Sequence, residues 1–567
     1  MICKLLYIKK KIEDENESAN QSNCGHVRYP APCRLCAAPW RCSGMKDGVL
    51  IGIDAGTSVL KSVAFTLTGE QIAVAAIANS YVTLPNRGVE QDMARTWRDA
   101  TATLKELVEK IPNLADRLVA IAVTGQGDGT WLINRQGEPV APAFLWLDAR
   151  AASIAQEFVN SENYAAHYAR TGSGVNACQT STQLVWLKRN APELLSKATT
   201  AFHCKDWLYY NLTGTRCSDP SEANFTIGNF RTRQYQTDML DQLGASEAKH
   251  LLPEIVDGAT QSHPLSAHVA NQIGLKSGTP VVLGYVDVLC TGIGGGLYDP
   301  QAKVGCTIVG STGMHMRMVP NADDVKLNAE MSGYTMTFPE PDTQVQIQSN
   351  MASTLNIDWM LDLGLDVLKS QGVDRTRMDL LQGLDENIIK ANPASSIFHP
   401  YISQAGERGP FLDPNARAMF TGLELGSNYA DLMRSVYEGL CFAARDCYAT
   451  MGQIPSEVRI TGGAARSKAL RQILASVLKA NIKVVSRGEA GAAGAAMMAA
   501  TQQKIYPSLG ACVDQWVNPL IGQATLPDAD LAKTYDGAFA IYKETREAMR
   551  KVWRQAADIK RGEPHGS

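Results

Sequence analysis

The chain has 567 residues, a formal charge of −3 at pH 7, 45% hydrophobic residues and 20% charged ones. That length exceeds what one hydrophobic core serves, so two large domains are expected. The near-neutral balance offers no basic field for nucleic acid, and no apolar run approaches the roughly eighteen residues that a membrane span requires.

Residues 1–47 differ in texture from all that follows. They hold five of the thirteen cysteines (Cys3, Cys24, Cys33, Cys36 and Cys42) and little apolar periodicity, and they read as a disordered N-terminal extension. Cys33-x-x-Cys36 with Cys24, His26 and Cys42 suggests a zinc site, but the spacing matches no common finger. Leu5 to Ile8 is too short for a signal-peptide core and runs into Lys9-Lys10-Lys11. Met45, just before the first strand-like run, reads as the functional start. The remaining cysteines are scattered without framework spacing, which suits a reducing, cytoplasmic setting.

The apolar run Val49-Leu50-Ile51 leads into Gly52-Ile53-Asp54-Ala55-Gly56-Thr57-Ser58 and then into Leu60–Leu67, which carries Lys61. This pattern predicts strand, tight turn, strand. Gly56 offers a position where positive φ costs nothing. The turn's N–H groups and hydroxyls can face an anion, and Asp54 can approach a hydrated metal ion. The spacing is not that of a P-loop, and an ordinary hairpin is the alternative. The motif recurs: Cys306-Thr307-Ile308-Val309 runs into Gly310-Ser311-Thr312-Gly313 and on into Met314–Met318. Two such hairpins on two half-chains predict a duplicated domain clamping one nucleotide.

Between the hairpins, Gly69 turns the chain into a strand over Gln71–Ile77. A helix is expected from Glu90, with Trp97, Ala100, Leu104, Leu107, Val108 and Ile111 on one face. Leu118–Val123 reads as a strand buried on both faces. It carries Thr124-Gly125-Gln126-Gly127-Asp128-Gly129 to its C-terminal end, where open α/β sheets place ligands. Cys204-Lys205-Asp206-Trp207, the stop at Gly214 and Asp219–Ala223 read as fold-forming. Pro280-Val281-Val282-Leu283-Gly284-Tyr285-Val286-Asp287 reads as an apolar strand that ends on an acid, and Val288–Leu297 is expected to be helical. An Asp at that position is either an N-cap or a working carboxylate.

In the second half, Asn356, Trp359 and Met360 open an amphipathic helix. Gly406-Glu407-Arg408-Gly409-Pro410 reads as a loop clasp outside the active site. Ser456–Ile460 is a short strand ending in Thr461-Gly462-Gly463-Ala464, and a helix with Leu470, Ile473, Leu474 and Leu478 on one face follows. Glycines between strand and helix let a flat base lie against the backbone. Ala490–Ala496 is a small-residue helix for close packing, too short to span a membrane.

From about Val49 to about Tyr542 these motifs resemble the FGGY carbohydrate kinases, the sugar-kinase branch of the actin–hexokinase superfamily. The resemblance implies an α/β, two-domain actin-like ATPase (ribonuclease H-like) fold with an interdomain nucleotide cleft. Domains are expected over 48–299 and 300–545, with 546–567 a polar tail. ATP and Mg2+ are implied. Gly56, Thr57, Ser58 and Lys61 would hold phosphates from one side and Gly310, Ser311 and Thr312 from the other. Gly462, Gly463 and Ala464 would pack the adenosine, and Asp54 would serve the metal.

By the same resemblance Asp287 falls on the family's catalytic base. Phosphoryl transfer is loose, so the acceptor hydroxyl needs orienting more than early deprotonation. A carboxylate kept ionised by the helix dipole can do both. Gln126, Gly127 and Asp128 occupy the specificity loop, which reads Met-His in xylulose kinases and Arg-Glu in glycerol kinases. Trp146 and Asp148 match a W-x-D-x-R segment, as substrate wall and hydroxyl acceptor, with plain core the less favoured alternative for Trp146. Cys178, Gln183 and Val288 depart from the glycerol-kinase pattern. The implied reaction moves the γ-phosphoryl group to a terminal hydroxyl of a small polyol, with erythritol the expected acceptor. Another polyol or a xylulose- or ribulose-type ketose is the alternative, and an actin-like ATP-dependent binding protein is the alternative outside enzymes. A homodimer is compatible, and no nucleic-acid or membrane partner is expected.

Overall fold

The computed structural model describes residues 47–300 and 303–561. The cysteine-rich stretch with its zinc alternative and the start at Met45 lie outside the described residues.

The first lobe is built on a six-stranded sheet. Its strands are β1 (Val49–Ala55), β2 (Val59–Thr66), β3 (Gln71–Ala78), β4 (Leu118–Gly125), β5 (His263–Pro264) and β6 (Pro280–Leu283), in the order β5-β6-β4-β1-β2-β3. β1, β2 and β3 form an antiparallel meander, with Asp54 opposite Lys61 across the first hairpin. β4 and β6 run parallel to β1. All the apolar residues of β1 are buried, which is why they read as a continuous apolar run rather than an alternating one. Helix α1 (Met93–Lys110) covers one face of the sheet, capped by the Asp92 side chain on the Arg95 N–H. Helices α2 (Cys204–Thr213), α3 (Pro220–Ile227) and α4 (Asp287–Gly294) follow.

The second lobe repeats the plan with β7 (Val304–Val309), β8 (Gly313–Val319), β9 (Tyr334–Thr337), β10 (Gln344–Asn350), β11 (Glu457–Thr461) and β12 (Asn481–Val484). Their order is β9-β10-β8-β7-β11-β12, with β7, β8 and β10 antiparallel and β11 and β12 parallel to β7. Both sheets therefore present an antiparallel meander continued by parallel strands, the duplication that the two hairpins predict. The covering helices are α5 (Thr354–Ser370), α6 (Tyr429–Thr450), α7 (Lys468–Leu478), α8 (Ala490–Gln502) and α9 (Ala529–Arg561).

One apolar cluster joins the lobes. Leu50, Ala120 and Val282 of the first sheet and Met316 and Ile347 of the second meet Leu289 and Ile293 of α4 and Ala492, Ala496 and Met497 of α8. Small residues make this possible. A Cβ on Gly494 would lie 1.9 Å from the Cys290 carbonyl oxygen, one on Gly294 2.2 Å from that of Ala490, and one on Gly52 2.0 Å from that of Ala492. The backbones touch where side chains would otherwise stand.

Two expectations are corrected. Residues 546–561 are not a polar tail but continue α9, with Trp553 buried edge-on against Tyr401, ring centroids 5.6 Å apart. The polar composition belongs to the exposed face of an amphipathic helix. Gly56 does not adopt a left-handed conformation; a Cβ there would lie 3.1 Å from the Val59 carbonyl oxygen. Close backbone approach, not positive φ, is what the first hairpin asks of it. No helix among the described residues is long and apolar enough to cross a membrane.

Candidate active site

Three parallel strands deliver the site. β1 ends at Ala55, paired with Gly125 of β4, and the Gln126 N–H donates to the Ala55 carbonyl at 3.0 Å. β6 lies on the other side of β4, and the Gly284 N–H donates to Val123 at 2.8 Å. The hairpin after β1, the 126–129 loop and the segment leading to Asp287 therefore emerge side by side at the C-terminal ends of the strands.

The 126–129 loop is shaped by close contacts. A Cβ on Gly127 would meet Val286 Cγ2 at 2.5 Å and Glu222 Oε1 at 2.7 Å, and one on Gly129 would meet the Phe144 carbonyl at 2.3 Å. Asp128 adopts φ 57°, a region that Asp tolerates better than most side chains. Its Oδ2 accepts from the Cys178 thiol at 3.4 Å, while Oδ1 is buried without a partner. Burial pushes its pKa up to about 6, against the opposing pull of Cys178, His203 and Arg408.

Gln126 and Trp146 form a relay with the first hairpin. Gln126 Nε2 donates to Gln91 Oε1 at 2.9 Å, the Thr57 hydroxyl donates to Gln126 Oε1 at 3.0 Å, and Trp146 Nε1 donates to that hydroxyl at 2.7 Å. Trp146 is only partly buried, so it is not plain core. Asp148 differs from its expected part as a hydroxyl acceptor. Its buried carboxylate takes the Val89 N–H at 2.8 Å and the Arg150 N–H and guanidinium at 2.7–3.2 Å. It clasps its own loop, and so orients Trp146.

Asp287 is the first residue of α4, whose N-cap is Val286. It is thus not the plain cap. Burial, then the nearby Asp54 and Asp128 carboxylates, push its pKa up to about 8. The helix N-terminus does not keep it ionised, because loss of solvent and like charge outweigh the dipole. Asp54 is itself raised to about 6, first by burial, with Lys61 lowering and Glu489 raising it. Its Oδ2 stands against the backbone of Gly491 at the start of α8, where a Cβ would approach to 2.4 Å. Lys61, expected at the phosphates, reaches across to Glu489 at 2.6 Å.

Beside the Gly462-Gly463 turn lies a cavity of about 600 Å3 whose lining includes Asp54, Lys61, Gly462, Gly463, Arg466 and Arg487. Gly462 has φ 101°, and a Cβ there would sit 2.5 Å from the Val309 carbonyl. Ala464 lies in the same turn (Gly463–Arg466), with Ala465 and Arg466 forming the wall beyond it. Arg466 and Arg487 are cations that the Gly-Gly pattern did not single out. Ser58 and Ser311 are exposed, and Thr312 partly so. The second hairpin rests on the start of α5: the Ser353 N–H donates to the Ser311 carbonyl at 2.8 Å, and the Thr354 hydroxyl donates to that of Gly310 at 2.9 Å.

Two groups of residues go beyond the sequence reading. The segments set aside as fold-forming supply a buried charge network beneath Asp128 and Asp287. Lys205 pairs with Asp206 at 2.7 Å and with Asp219, while His203 contacts Asp206 at 3.0 Å and Glu222 at 3.3 Å. Ser221, bonded to Asp219, accepts the Val286 N–H at 3.0 Å, next to Asp287. Glu222 is raised to about 8 by burial. Second, the Glu407-Arg408 clasp is only half a clasp. Glu407 Oε1 takes the Met351 and Arg408 N–H groups at 2.8 and 2.9 Å, but the Arg408 guanidinium bonds Ser349 Oγ at 3.0 Å and lies 6.0 Å from the Trp146 ring. A charged pair beside Pro carries no sequence signal of the lobe it will face.

Among the described residues no cluster of three or more His, Cys, Asp or Glu could hold a metal by itself. What the site offers is two mutually repelling carboxylates, Asp54 and Asp287, beside a cavity with cationic walls.

Two family models match the chain: the N-terminal domain of the FGGY family of carbohydrate kinases over residues 49–294, and its C-terminal domain over 305–502. The erythritol kinase of Brucella abortus is 50% identical over 515 residues, covering 91% of this chain and 99% of that protein. The xylulose kinase of Staphylococcus xylosus is 25% identical over 500 residues, 87% of this chain and 99% of its own. Among solved structures, the gluconate kinase of Lactobacillus acidophilus superposes with a TM-score of 0.81 at 23% identity, over 90% of this chain and 99% of that one.

Proposed function

The chain belongs to the FGGY family of carbohydrate kinases, and from that premise we infer that it transfers the γ-phosphoryl group of ATP to a terminal hydroxyl of erythritol. The observation that carries the acceptor is the 50% identity to an erythritol kinase along nearly that protein's whole length. The 126–129 loop is consistent with it, because Gly127-Asp128-Gly129 sets a carboxylate beside Cys178 where, by resemblance, xylulose and glycerol kinases carry bulkier pairs.

The chemistry divides among named residues. The acceptor lies between Trp146 and Asp128, with its terminal hydroxyl directed to Asp287. As the acceptor oxygen bonds to the γ-phosphorus and the bond to the β–γ bridging oxygen breaks, the hydroxyl proton passes to an Asp287 carboxylate oxygen. ADP leaves with the electron pair. The raised pKa of Asp287 suits it to keep that proton once taken. Gly56, Thr57 and Ser58 face the phosphates from one lobe and Gly310, Ser311 and Thr312 from the other, with Gly462 and Gly463 against the base. Mg2+ fits the donor set: Asp54 offers a carboxylate at the cavity, and a cation there relieves the repulsion between Asp54 and Asp287. Bound there, it would neutralise charge on the phosphates.

A panel of polyols and ketoses, read by ADP release, tests the assignment. Erythritol should exceed glycerol by about ten- to a hundredfold in kcat/KM, because one charge-assisted hydrogen bond contributes about 1.5–3 kcal/mol and each 1.4 kcal/mol is about tenfold. A higher kcat/KM for glycerol or xylulose would sink the erythritol assignment and leave the kinase assignment standing.

A further inference from the structure

We propose that Arg408 is an acceptor-binding residue supplied by the second lobe, and that one hydroxyl of the polyol bridges its Nε and the Oδ1 of Asp128. Both atoms are buried and unpartnered. Each carries charge of opposite sign to the other, and burial without a partner is costly for such groups. The two residues are close enough for each to influence the other's ionisation, yet no hydrogen bond joins them.

Their remaining contacts leave these atoms to a ligand. Cys178 occupies the other oxygen of Asp128, and Ser349 of β10 fixes the Nη2 end of the guanidinium. The Trp146 ring lies 6.0 Å from the Arg408 guanidinium. On the second-lobe side stands Tyr334, whose hydroxyl accepts from Asn176 at 3.2 Å. A hydroxyl fits this gap chemically, because it donates to a carboxylate and accepts from a guanidinium N–H at once. A three-carbon acceptor with one end at Asp287 has one hydroxyl fewer with which to reach the pair. The glycerol discrimination thus comes from two residues on different lobes. The proposal rests on the polyol-kinase reading and deepens it.

Arg408→Ala tests it, with Arg408→Lys as the conservative partner. Each is assayed by ADP release with erythritol, 1,2,3-butanetriol, 1,2,4-butanetriol and glycerol. Arg408→Ala should raise the KM for erythritol about ten- to a hundredfold while the KM for ATP stays within about twofold. The preference for erythritol over at least one butanetriol should collapse, and Arg408→Lys should restore part of it. Equal losses on all four acceptors, or an equal rise in the ATP KM, would overturn the proposal and mark Arg408 as packing. If Arg408→Ala does not fold, as judged by loss of the ATP-induced rise in Tm, Arg408→Gln carries the same expectations. If the wild type prefers another acceptor, the functional reading fails. The same comparison on that acceptor and its deoxy analogues still decides the role of Arg408.

Discussion

Asp287 sits where a charge is least welcome, half-buried and beside Asp54. Its folded pKa of about 8 lies above the unfolded value of about 4, so the native state holds a proton that the unfolded state releases between those limits. Its stabilising contribution is present below pH 4 and is lost as pH rises to 8. Asp287→Asn should therefore cost about 10²–10⁴-fold in kcat yet gain Tm over the wild type. The gain should grow from pH 4 to pH 8 and flatten above, as thermal unfolding across that range would show; a gain independent of pH would refute the shift. In the wild type, kcat/KM at subsaturating substrates should rise with pH through about 8, and this limb should vanish in Asp287→Asn. Asp128→Ala should remove most of the erythritol preference over glycerol with little change in the KM for ATP, measured in the same ADP-release assay.

At the level of elements, the packing of α4 against α8 is the joint on which the site hangs. α4 begins with Asp287 and the start of α8 faces Asp54, so a shift of α4 moves one carboxylate and a shift of α8 changes the surroundings of the other. Gly494 has no room for a methyl group, since the Cys290 carbonyl stands where its Cβ would go. Overpacking of this kind costs about 1–3 kcal/mol. Gly494→Ala should lower the unfolding free energy measured in urea by that amount and reduce kcat as Asp287 is displaced. Gly463→Ala, with nothing within 4 Å of its Cβ, is the control and should leave stability within about 0.5 kcal/mol.

Across the whole molecule the lobes already touch. Tyr164 donates to the Met331 carbonyl at 3.2 Å, the Gly174 N–H donates to that of Gly333 at 2.9 Å, and Asn224 donates to Thr337 at 2.6 Å. The cavity beside the Gly462-Gly463 turn is bridged by the Lys61–Glu489 pair. Hairpins on separate lobes grip one nucleotide only if the lobes approach, and closure keeps water from the γ-phosphate. Small-angle scattering should show a smaller radius of gyration with erythritol and a non-hydrolysable ATP analogue than with either alone. An unchanged radius would mean that the cleft is closed beforehand.

The elements that carry the site were legible because their signals are local. Apolar runs gave β1, β4 and β6, small-residue turns gave the hairpins and the Gly462-Gly463 turn, and a periodic face gave α1. Asp287 and Asp128 became candidates only through the family resemblance, since an Asp after a strand also caps helices. What tertiary structure alone decided was which side chains share a space. Asp148 lies two residues from Trp146 but turns into Arg150, whereas Arg408, remote in sequence, arrives opposite Asp128. Lys205, Asp206, Asp219 and Glu222 become one network only when α2 and α3 pack beneath the strand ends. The ionisation of Asp287 was likewise out of reach, because it depends on burial and on Asp54, which the packing of α4 against α8 brings near. Strand and turn propensities act over a few residues, while charge and desolvation act through space, and only the folded chain sets those distances.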